Sequence, residues 1–80
     1  MKAREEEQVG PQNRLQTLAF QKGYRSGYAF AKAVEAQGIA SYGTAYSKWH
    51  SGRVEKTQYV TLLAIAQFLG AKTVEQVFDP

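Results

Sequence analysis

Residues Gly38–Gly52 read GIASYGTAYSKWHSG. Gly38 suits the end of one helix and Gly52 the end of the next, because glycine accepts the left-handed conformation that terminates helices. Between them stands Ser41, whose side-chain oxygen can accept an amide of a first helical turn. The spacing predicts a short helix over about 42–50. On it Ala45, Tyr46 and Trp49 fall at i, i+1 and i+4, which makes them an inward face. Tyr42, Gly43, Thr44, Ser47 and Lys48 occupy the other face, and the stretch holds no acid.

Working outward, the same punctuation recurs. Gly23 and Gly70 stand at further helix ends, and each helix has a capping candidate at its start. Asn13 can cap a first helix over about 13–22, with Leu15, Leu18 and Ala19 inward. Ser26 can cap a second over about 26–37, with Phe30, Ala31 and Val34 inward. Thr57 can cap a fourth over about 58–69, QYVTLLAIAQFL. That segment is apolar on more than one side: Tyr59, Leu62, Leu63, Ala66 and Leu69 form one stripe, and Ile65 and Phe68 begin another. A helix of that kind is mostly buried. Thr73 with Gln76 makes a capping box for a last short helix over about 73–78, where Val74, Val77 and Phe78 close the core. No pair of alternating apolar runs flanks a hairpin turn. The expected fold class is all-α, a compact bundle of four to five short helices over 13–80. The preceding MKAREEEQVGPQ, residues 1–12, has no apolar periodicity and reads as a disordered N-terminal arm.

The totals narrow the function. At 80 residues the chain is one domain, able to bury only about 60% of its unfolded surface. There is no cysteine and a single His, so neither thiolate chemistry nor a zinc site is expected, and no cofactor. No apolar run approaches the ~20 residues of a membrane span, and MKAREEEQ is not a secretory signal, so a cytoplasmic protein is expected. No partner acid or nucleophile stands near His50 at a recognisable spacing, and no phosphate loop occurs. An enzyme is not expected, nor a small-molecule substrate. The net charge of +3 is concentrated. Between 14 and 56, Arg14, Lys22, Arg25, Lys32, Lys48, Arg53 and Lys56 face only Glu35 and Glu55, while the segments on either side are each slightly acidic. A basic middle favours an anionic partner.

Two helices joined by the short connection GIAS form a helix-turn-helix, in which the second helix can enter a DNA major groove. That groove is about 12 Å wide and admits a helix whose outer face is small and polar. Thr44 and Ser47 can donate or accept, Lys48 can donate to guanine or phosphate, and Gly43 lets the backbone come close. Tyr46 and Trp49 are expected in the core.

The run Arg14–Phe78 resembles the lambda-repressor/Cro-like helix-turn-helix domains, the XRE family. The pieces that carry the resemblance are RL..L from Arg14, KG at 22–23, FAKAV at 30–34, YSKWHSG at 46–52, TLLAIAQFLGA at 61–71 and TVEQVFD at 73–79. Some positions depart from the family pattern. His50 replaces the Glu after the Trp, Gly27 replaces a phosphate-binding Gln, and Lys56 stands near the family's Pro. The connection between the second and third helices is longer. The resemblance implies a sequence-specific transcriptional regulator, a repressor, binding double-stranded DNA as a homodimer. It places Ser41, Tyr42, Gly43, Thr44, Ser47 and Lys48 near bases. It sets Arg25, Ser26 and Tyr28 across the phosphate backbone, where a helix N-terminus attracts anions. Arg53 and Lys56 grip the flanking phosphate. Two other readings stand beside it. A helical protein-interaction adaptor that has lost DNA binding would suit the altered connection and the missing Gln. Single-strand or RNA binding would need Tyr42, Tyr46 and Trp49 exposed.

Overall fold

A computed structural model describes residues 10–80. It contains helices α1 (Arg14–Gln21), α2 (Gly27–Ala36), α3 (Tyr42–Ser51) and α4 (Tyr59–Phe68), followed by one 3-10 turn, Val74–Gln76. The described residues form an all-helical globule, as the sequence predicts. Most of the expected arm, residues 1–9, lies outside the described residues. Gly10, Pro11 and Gln12 are exposed and outside any helix, and the Gln12 amide donates to Gln16 Oε1 at 3.1 Å.

Three helix starts follow from short side-chain oxygens. Asn13 Oδ1 accepts the Gln16 amide at 2.8 Å, and Ser26 Oγ accepts that of Ala29 at 3.1 Å. Ser41 Oγ accepts that of Thr44, also at 3.1 Å. Each satisfies an amide that a first turn leaves without a helical partner. The start of α4 differs from expectation. Its flanking residue is Gln58, which makes no side-chain cap, and Thr57 Oγ1 reaches back to the Glu55 carbonyl at 3.4 Å. Lys56 has φ +59°, and this left-handed step turns the chain one residue later than Thr57 would require. A proline, with φ fixed near −65°, could not occupy position 56.

The core draws on every element. Leu15 and Ala19 come from α1, Phe30, Ala31 and Val34 from α2, Ala45 and Trp49 from α3, and Leu62, Ile65, Ala66 and Leu69 from α4. Val74, Val77 and Phe78 close it from the C-terminal side. Trp49 joins it from α3, with ring centroids 5.5 Å from Phe30 and 6.1 Å from Phe20. Two expected core residues stand out in solvent instead, Tyr46 on α3 and Tyr59 on α4.

Polar contacts fix the far end of α3. Gln16 Nε2 and Asn13 Nδ2 donate to the Trp49 carbonyl at 2.8 and 3.2 Å, satisfying an acceptor that the last turn leaves open. Gly52 ends the helix at φ +62°, and a side chain there would also strike Asn13, whose Cγ lies 2.8 Å from the added Cβ position. The C-terminus returns to the same place: the Asp79 amide donates to the Gly52 carbonyl at 2.7 Å, and the Val54 amide to Asp79 at 3.0 Å. Arg14 pairs with the Asp79 carboxylate. Both partners are about half exposed, so that pair adds little stability.

Candidate nucleic-acid interface

Helix α3 packs against α2 across a five-residue connection, 37–41, and both helices bury their apolar sides in one core. Ala45 and Trp49 are buried, so the opposite side of α3 faces solvent. That side presents Gly43, Ser47 and His50, with Thr44 half-buried at one edge and Tyr42 and Tyr46 at the other. No acidic side chain belongs to α3. A Cβ added at Gly43 would meet nothing within 4 Å, so this turn of the helix is free of overhanging side chains.

A shallow cleft runs beside this face. Gly43, Thr44, Ser47, Lys48 and Ser51 line one wall, and Glu55, Lys56 and Thr57 of the following loop line the other. Hydroxyls dominate it. Lys56 brings a cation to its rim, and Glu55 brings the nearest acid. Arg53 is exposed in the same loop. Across the molecule, Arg25 is exposed immediately before α2, its guanidinium 5.5 Å above the Phe20 ring. Arg25 shares a depression with His50 and Trp49. Cations therefore stand at both ends of the exposed α3 face.

Lys48 does not belong to that face as expected. It is only 4% exposed, and its ammonium donates to the Arg53 carbonyl at 2.7 Å and the Glu55 carbonyl at 2.6 Å. Burial pushes its pKa below the ordinary lysine value, with the Glu55 carboxylate pulling the other way. The long stem runs across the helix surface and ties the loop after α3 to the helix. A lysine so engaged is a structural clamp rather than a reader of guanine.

The remaining expected residues divide by what their polar groups already do. Ser41 Oγ is spent on the cap and on donating to Thr44 Oγ1 at 3.0 Å, which leaves the Thr44 hydroxyl hydrogen available to donate. Ser26 accepts its own cap bond and keeps a hydroxyl hydrogen to donate outward. Tyr28 is 62% exposed on the first turn of α2 and meets Tyr42 edge-on at 6.1 Å. The structure thus brings Tyr28 and Tyr42 together, and groups Gly43, Thr44, Ser47 and Lys56 around one cleft.

Tyr46, expected in the core, is 41% exposed. Its ring lies on the first turn of α2, against Gly27, and stacks on Tyr42 at 5.7 Å. His50 continues the row at 4.7 Å. The spacing of 42, 46 and 50 at successive i, i+4 steps is the sequence signal for this row. Gly27, where the resemblance implies a phosphate-binding Gln, is buried beneath Tyr46 and Trp49.

Scanned against protein-family models, curated proteins and solved structures, the chain matches none. Among the described residues no group of three or more His, Asp or Glu side chains could hold a metal ion, and no helix is long and apolar enough to cross a membrane.

Proposed function

We propose that this protein is a sequence-specific double-stranded DNA-binding transcriptional regulator acting as a repressor, with α3 lying in the major groove. The observation that carries the reading is the exposed flank of α3. It is slim at Gly43, polar at Thr44 and Ser47, and free of carboxylates. Core anchoring through Ala45 and Trp49 holds that flank outward. The start of α2, with Ser26 and the neighbouring Arg25, would lie across one strand's phosphates, where unpaired first-turn amides favour anions. Arg53 and Lys56 would hold the flanking phosphates. The protein would act in the cytoplasm and without a cofactor.

It would bind as a homodimer to half-sites about one helical turn apart. A largely apolar groove lined by Val54, Tyr59, Leu62, Val74, Glu75, Phe78 and Pro80 would take the second copy. Val60, next in the chain to Tyr59, is 67% exposed.

Selection of bound duplexes from a random library tests the reading. A recovered two-fold symmetric site supports it; failure to retain any duplex at low salt rejects it. One observation favours a second reading, a protein-interaction adaptor: the withdrawal of Lys48 beside an exposed row of tyrosines. An adaptor would leave a random duplex unshifted in a low-salt gel. Single-strand binding through Trp49 has no support, because that indole is buried.

A further inference from the structure

The outer side of α3 has lost its cation and gained aromatic surface. Tyr42 and Tyr46, one turn apart, stack with centroids 5.7 Å apart and planes 13° apart. Tyr28 from α2 and His50 from the last turn of α3 extend the row at either end. The row follows the α2-facing edge of α3 along its length, beside Gly43 and Ser47. Most aromatic groups of a small domain are drawn into its core. Here the rings stay at the surface because Gly27 offers Tyr46 a shelf without a side chain.

We infer that the Tyr42–Tyr46 pair reads thymine, packing against the 5-methyl groups that line the major groove of A·T-rich half-sites. The inference rests on the duplex-DNA reading above and adds the base class that the face selects. Strong selection of guanine uses a cation delivered to O6 and N7. The lysine of α3 is committed to two backbone carbonyls and cannot supply it. Thymine is marked in the same groove by a methyl group, an apolar target. The large apolar groups at the solvent margin of α3 are these rings, Tyr46 exposed and Tyr42 half-buried against the core. The occupant is anionic because the surroundings of the row are basic: α3 carries no acid, and Arg25 shares a depression with His50 at the row's end. The phenol hydroxyls at the ring edges can donate to phosphates while the rings cover the methyls.

The experiment uses the full chain and the best duplex recovered from a random library, followed by fluorescence anisotropy. Replacing thymine by uracil removes only the methyl and leaves base pairing intact. Affinity should fall roughly fourfold for each contacted thymine, equivalent to about 0.8 kcal/mol per buried methyl-sized group. Tyr46→Phe should keep the thymine-over-uracil preference, and Tyr46→Ser should lose it; the substitution in the DNA needs no variant to fold. Duplex binding indifferent to uracil would overturn the inference and leave the DNA reading intact. Failure to bind any duplex would remove both, and the row would then be a protein-docking surface.

Discussion

A Cβ added at Gly27 would stand 2.8 Å from Tyr46 Cε1 and 3.1 Å from Trp49 Cδ1. The absence of a side chain at the start of α2 therefore sets how closely α3 approaches and where its aromatic row lies. Gly27→Ala should cost stability despite alanine's better helix propensity, which is worth about 1 kcal/mol in a helix interior. Tyr46 can swing outward, but the buried Trp49 must yield, and overpacking of this kind costs typically about 1–3 kcal/mol. We expect a net loss of about 1 kcal/mol in urea unfolding, with a changed tryptophan emission. Gly27→Gln, which introduces the residue implied by the resemblance, should be worse and should not improve DNA binding.

Lys48→Met keeps the stem and removes the donors, leaving the Arg53 and Glu55 carbonyls without the ammonium. Loss of one partner from a fully buried contact costs about 1–3 kcal/mol, and these part-buried ones should fall at the lower end. In a domain of this size each kcal/mol lowers Tm by about 4–8 °C. The pH dependence has a definite sign. Burial lowers the folded-state pKa of Lys48, so the unfolded chain holds that proton more tightly. Stability should therefore rise with pH through the window just below the ordinary lysine value. The difference between wild type and Lys48→Met isolates this rise from other groups that titrate there.

Under the DNA reading, Arg53 and Thr44 should separate cleanly. Arg53→Ala removes an exposed cation and should weaken binding to all duplexes alike. It should reduce the slope of log affinity against log salt by about 1, since each neutralised phosphate contributes about 0.9. Thr44→Ala should leave the salt slope alone and change preference among sequences, by about 1–3 kcal/mol for a good base contact. Anisotropy titrations at several salt concentrations measure both. Identical behaviour of the two variants would count against the assigned surface.

Lys56→Pro tests the loop that carries one of the cations. The family resemblance places a proline near this position, but the backbone here has φ +59°. Proline cannot adopt that angle. The substitution should destabilise by more than about 1 kcal/mol, because a residue incompatible with the native φ loses more than its rigidity gains. Chemical denaturation reads the change directly.

What could be read from the sequence was local. Asn13, Ser26 and Ser41 announce their helices because a short side-chain oxygen reaches an amide three residues on. The positions of Ala45 and Trp49 follow from helical spacing, as does the outward placement of Gly43 and Ser47. What could not be read depends on contacts between elements. Tyr46 lies at the margin of the inward face, and the bareness of Gly27, on another helix, decides where its ring goes. Lys48 falls on the polar side of a helical wheel, yet its stem reaches two carbonyls beyond the helix end. Thr57 is a better capping residue than Gln58 by type, and the left-handed Lys56 displaces the start past it. The first two misses substitute a tertiary contact for a local rule, and the third follows from one backbone angle.

Val60 offers the sharpest test of dimerisation. It is exposed on the first turn of α4, next in the chain to Tyr59, which lines a groove that is apolar apart from Glu75. A two-fold contact places the same patch on both copies, so one substitution alters the interface twice. Val60→Glu adds no strain to the monomer, because the side chain already stands in water, and circular dichroism melts should be nearly unchanged. In a dimer the same change would bring two carboxylates into an apolar contact, where an unpaired charge is costly. Sedimentation should then show wild type as a dimer and Val60→Glu as a monomer. The variant should bind a single half-site as well as wild type does, but lose the added affinity of a paired site. A monomeric wild type at micromolar concentration would exclude this surface as a stable dimer contact and leave recognition by α3 to stand on single half-sites.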